Sequence, residues 1–126
     1  MKTFIVCLFG FGILETLSNA FHLSKGNVSA IARSARKQHQ EIPLASPDAH
    51  FFYKVILMLI LGVLFMASSA LFFIKYPAAT VFTFVNTLLL SLYGLIQLIM
   101  YYRTWRVWLS FLVYSIPLLF FFILFF

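Results

Sequence analysis

The chain has 126 residues, of which 63% are hydrophobic and 10% charged, with one cysteine and a formal net charge of +6. Its mean hydropathy is +1.03, whereas a soluble domain carries roughly 25% charged residues, so a water-soluble core is excluded as the main architecture. The lone Cys7 rules out an intrachain disulfide and a thiolate metal cluster. The bases sit at the ends of apolar runs and no stacking platform is visible, so the expected anion is a lipid headgroup and no nucleic acid is expected as a partner.

The first apolar run, residues 3–22, supports two readings. Met1-Lys2, an apolar stretch to Leu14 and then Ser18-Asn19-Ala20 have the form of a secretory signal peptide cleaved after Ala20. Against cleavage stands the charge bias. Lys25, Arg33, Arg36, Lys37 and Lys54 follow the first run and Arg103 and Arg106 follow the third, while the opposite side holds only Lys2 and Lys75. Basic loops stay cytoplasmic, which favours a retained first helix, both termini outside, and loops 23–51 and 102–106 inside.

Within that first run one acid stands out. Glu15, Ser18, Asn19 and His22 are spaced i, i+3, i+4 and i+7, which makes a polar stripe on one helical face. A carboxylate in hydrocarbon costs a few kcal/mol, so such groups face a bundle interior. With no cation assigned to a span, the expectation is a carboxyl raised in pKa by desolvation, acting either as an interhelical hydrogen-bond donor or as a proton-exchanging group.

Residues 23–51 are the only sizeable aqueous stretch. Val28, Ile31, Ala32 and Ala35 recur at helical spacing, with Arg33, Arg36, Lys37 and Gln40 largely elsewhere and Pro43 as a stop. The pattern predicts a short amphipathic interfacial helix. Arg33, Arg36 and Lys37, with Arg103 and Arg106 further on, are the expected contacts to anionic headgroups, each base being worth roughly 1 kcal/mol near an anionic leaflet.

Residues 55–74, 76–102 and 107–126 carry no charged side chain. At about 20 residues per crossing, they predict spans at 52–74, 78–101 and 105–126 beside the first at 3–22. Lys75-Tyr76-Pro77 makes the outer turn, and Tyr101, Tyr102, Trp105 and Trp108 form an aromatic belt around Arg103 and Arg106. In the third span Asn86, Tyr93 and Gln97 share a face, and Gln97 or Tyr93 is the expected partner of Glu15. Pro117 interrupts the last span's backbone donors, which Ser110 or Tyr114 could help to satisfy.

His22, His39 and His50 lie near the cytoplasmic side, but no pair has the spacing of a helical zinc motif. Bis-histidine haem through His22 and His50 is geometrically conceivable, yet no metal and no cofactor are expected. There is no G-x-S-x-G elbow, no Gly-rich phosphate loop and no paired carboxylates, so catalysis is not expected.

A chain of four spans with an acid in the first, Gly12-Ile13-Leu14-Glu15, resembles the small multidrug-resistance transporters in outline. That resemblance implies an acid that binds protons and cationic drugs in an antiparallel dimer. The long basic segment after the first span departs from that family and no second motif aligns. The order of one span, an amphipathic segment and three spans is similar to DoxX-like membrane proteins in architecture alone. No family is recognised.

The reading is an all-α integral membrane protein, a single membrane domain over residues 1–126 with four transmembrane helices in a compact bundle. Its expected location is a bacterial inner, or plasma, membrane. Its expected role is a non-catalytic accessory or assembly component of a membrane complex, in contact with the bilayer and with a membrane-protein partner. The alternative is a small proton-linked transporter or flippase using Glu15 as a homodimer.

Overall fold

The computed structural model describes residues 1–40, 42–43 and 46–126, and among them the chain is helical with no strand. Five helices follow in order, α1 (Lys2–Leu23), α2 (Val28–Gln38), α3 (Asp48–Phe73), α4 (Ala79–Met100) and α5 (Trp105–Phe125). All but α2 are long and apolar enough to cross a membrane. At 1.5 Å per residue the shortest of these four spans roughly 30 Å, the thickness of a bilayer's hydrocarbon core.

The chain's longest helix, α3, is the hub, packing on α1, α2 and α4, while α5 packs chiefly on α4. The α1–α3 contact is the most extensive, and two glycines explain it. A Cβ added to Gly12 would lie 2.7 Å from the Gly62 carbonyl oxygen and 2.9 Å from the Met66 nitrogen. One added to Gly62 would lie 2.9 Å from the Gly12 carbonyl oxygen. The two backbones therefore touch, as small residues permit in membrane helix pairs. Ser69 Oγ seals the same interface by donating to the Ile5 carbonyl at 3.0 Å.

The ends of the bundle differ in chemistry. At one end Phe4 stacks on Phe120 with ring centroids 5.3 Å apart, while Phe72 stacks on Phe125 at 5.9 Å, which ties α1 and α3 to α5. At the other end α2 lays Ile31, Ala32 and Ala35 against Phe51 and Val55 of α3. Asn27 caps α2, its side chain accepting from the Ala30 N–H at 2.8 Å.

Between α3 and α4 the turn leaves α3 through Lys75, whose φ is 58°. Tyr76 N–H donates to the Leu71 carbonyl and Lys75 N–H to that of Phe72, the paired bonds that close a helix through a left-handed residue. Pro117 is accommodated inside a continuous α5.

Gly12→Ala and Gly62→Ala should each force α1 away from α3 and lower the melting temperature in detergent, whereas Gly10→Ala, which meets nothing within 4 Å, should leave it unchanged. Equal melting of all three variants would mean that the glycine contact does not set the packing.

Candidate functional site

The polar interior begins with a lysine. Lys54 is the seventh residue of α3, about 9 Å along the helix axis from its start, and only 1% of it is exposed. It falls on the inward face with Phe51, Val55 and Met58, and α2 with its following loop roofs that end of α3 through Ile31, Ala35 and Ile42. The expectation that no span holds a cation is therefore corrected: Lys54 belongs to the buried part of α3 rather than to an aqueous loop.

Lys54 Nζ donates to Gln97 Oε1 of α4 at 2.9 Å, and Gln97 Nε2 donates to Ser110 Oγ of α5 at 3.2 Å. The rings of Tyr114 and Tyr93 stand 5.6 and 5.9 Å from the ammonium, within cation–π range. One cation thus joins α3, α4 and α5. The effective penalty for burying an ion is several kcal/mol; a hydrogen bond to a charge returns roughly 1.5–3 and a desolvated cation–π contact about 2, so the group is stable only with several partners together.

The stripe on α1 divides in two. Glu15 accepts from Asn19 Nδ2 at 3.1 Å and does not bond Gln97 or Tyr93, contrary to the sequence expectation, because α1 packs on α3 and α2 while those two residues turn toward Lys54. Ser18 and His22 instead face α2. Ser18 Oγ donates to Gln38 Oε1 at 2.9 Å, and His22 Nε2 lies 2.7 Å from the same oxygen. An oxygen acceptor there requires a proton on Nε2, which leaves Nδ1 of a neutral ring to accept from Ser34 Oγ at 2.6 Å. Asn86 belongs to a third group, donating to Ser68 Oγ at 2.7 Å and to the Leu64 carbonyl at 3.2 Å, so that it joins α4 to α3.

His39, just past α2, is buried beside His22. Burial lowers its pKa to about 3, the positive charge of Lys54 adds to the effect, Glu15 opposes it and His22 contributes further lowering. The His22 and His39 rings are 6.0 Å apart. His50 bonds Tyr101, so His22 and His50 are committed to different partners, and among the described residues no three metal-ligating side chains converge.

Beside Lys54 a cavity of about 440 Å³ opens between α3 and α4, bounded by Tyr53, Leu57, Ile60, Tyr93, Ile96 and Met100 together with Lys54 and Gln97. Its wall is almost wholly hydrocarbon.

Of the bases expected to meet headgroups, Arg36 is otherwise engaged. Its Nη2 lies 2.7 Å from Asp48 Oδ1 and donates to the Ser46 carbonyl at 2.6 Å, and the guanidinium stacks over Phe51. Arg106 bonds Gln40 and Arg103 lies over the Tyr102 ring, while Arg33 and Lys37 are exposed. Glu41, another acid of the basic loop, lies outside the described residues.

Compared with protein-family models, with curated proteins and with solved structures, the chain matches none.

Two predictions follow from this geometry. A double-mutant cycle of Lys54→Met and Gln97→Leu, read as stability in detergent, should give a coupling of about 1–2 kcal/mol; strict additivity would contradict the bond. For His39 the folded-state pKa of about 3 lies below the ordinary 6.5, so the opened state binds the proton more tightly. The stability that neutral His39 contributes is complete above about pH 6.5 and is lost as pH falls toward 3. Hydrogen exchange of residues 35–40, corrected for intrinsic rates, should accelerate over that window, and His39→Gln should abolish the dependence.

Proposed function

We propose that this chain is a non-catalytic accessory or assembly component of a membrane complex, held in a plasma membrane with both termini outside and α2 lying at the cytoplasmic interface. The observation that carries the role is how the interior polar groups are used. Lys54, Gln97 and Ser110 link three helices, Asn86 and Ser68 join α4 to α3, and the cavity beside them is walled by hydrocarbon. A permeation path needs a file of polar groups facing water or substrate. Here those groups are spent on helix association, each such bond contributing about 0.6–1.7 kcal/mol in a membrane.

The orientation is supported by the exposed bases. Lys25, Arg33, Lys37, Arg103 and Arg106 lie toward the α2 end, against Lys2 and Lys75 at the other, and that bias favours the α2 end inside. The interfacial placement of α2 is supported by its two faces, Ile31, Ala32 and Ala35 inward and Arg33 and Lys37 outward. Outward apolar side chains such as Leu14, Leu17, Leu92, Ile99, Leu112 and Ile116 offer a surface to lipid and to a partner's spans.

A second reading, a proton-linked carrier or flippase acting as a homodimer, is favoured by one observation: Glu15 and Lys54, of opposite charge, act on the same buried His39. The two readings separate on extraction in mild detergent at native expression level. The accessory reading predicts a stoichiometric complex with a different membrane protein, still recovered with Glu15→Gln, which keeps an acceptor for Asn19. A homodimer alone, with proton uptake abolished by Glu15→Gln, would overturn it in favour of the carrier.

A further inference from the structure

We propose that the groove between the end of α1 and α2 binds the phosphate-bearing headgroup of an anionic phospholipid, with an acyl chain lying along the neighbouring face of α1. The groove encloses about 540 Å³, and Lys25, Arg33 and Lys37 all line it, together with Ser34, His22 and Phe21. Among the described residues no carboxylate takes part in the lining. Arg36, the remaining base of α2, is drawn away to Asp48, so the groove keeps Lys25, Arg33 and Lys37, none of which pairs with an acid among the described residues.

Their arrangement concentrates positive charge on one face of the groove. Arg33 and Lys37 stand at i, i+4 on one helix, where like charges repel. Lys25 is held over the Phe21 ring, 4.3 Å from its centroid, and adds a third positive charge. A phosphate would offset all three charges.

The apolar flank selects a lipid over free phosphate. Leu14, Leu17 and Phe21 are 70%, 63% and 58% exposed and recur at i, i+3 and i+7, so an uninterrupted apolar stripe runs from the groove into the span. A headgroup in the groove places a chain on that stripe. The inference rests on the placement of α2 at the headgroup layer.

The test is native mass spectrometry of the full chain in mild detergent supplemented with phosphatidylglycerol, with phosphatidylcholine of the same acyl chains, or with inorganic phosphate. The expected result is one retained phosphatidylglycerol, no comparable retention of phosphatidylcholine and no displacement by millimolar phosphate. The double variant Arg33→Gln/Lys37→Gln should weaken retention about 30-fold, from two bases at the usual contribution of each near an anionic lipid. Lys2→Gln/Lys75→Gln removes the same charge from the opposite end and should leave retention intact, and melting curves for both variants establish that each is folded. Equal loss in the two variants, equal retention of the two lipids, or displacement by phosphate would overturn the proposal. The readout uses the isolated chain, so its failure leaves the accessory role standing, and failure to find a partner leaves this site standing.

Discussion

The backbone contact between Gly12 and Gly62 is the constraint on which the arrangement depends. Because α1 and α3 meet without intervening side chains, α1 lies close enough for Ser69 to reach the Ile5 carbonyl. The same contact delivers the second half of α1, carrying Glu15, Asn19 and His22, to the side of α3 where α2 folds back. Remove it and the polar residues of α1 lose their common address. Apolar surface cannot supply that specificity in lipid, since tails are as apolar as leucine and helices associate through close packing and hydrogen bonds instead.

Lys54 is the second feature that orders the helices. An ammonium near the end of a membrane helix ordinarily extends its head to the interface, but here α2 and Ile42 pack over that end of α3. The cation is turned inward to Gln97, Tyr93 and Tyr114, which come from α4 and α5. The buried charge therefore registers three spans against each other. Polar contacts of this kind are weak sources of net stability.

Much of the fold was legible in the residues. Apolar runs of about 20 residues mark the spans, and their observed limits, Lys2–Leu23, Asp48–Phe73, Ala79–Met100 and Trp105–Phe125, fall within a few residues of those expected. The 3.6-residue spacing of Ile31, Ala32 and Ala35 likewise marks the buried face of α2. The site was less legible because it depends on which helices are neighbours. Glu15 and Gln97 have matching depth in the sequence, but α1 pairs with α3, and depth alone does not report lateral order. Lys54 was read as a topological charge since a base beside a span start is usually one. The signal that marks it is its register: it occupies the same face as the apolar Phe51, Val55, Met58 and Phe65. The division of α1's stripe between Asn19 inside and His22 against α2 could be read only once α2 had been placed.

The most direct test of the buried lysine is amine labelling of the protein in lipid vesicles, with both faces made accessible and modification followed residue by residue by mass spectrometry. The chain's five lysines are Lys2, Lys25, Lys37, Lys54 and Lys75, and all but Lys54 are exposed. The account predicts that Lys54 alone stays unmodified in the folded protein and reacts like the others after unfolding in sodium dodecyl sulfate. Labelling of Lys54 at the rate of Lys37 in the folded protein would contradict it.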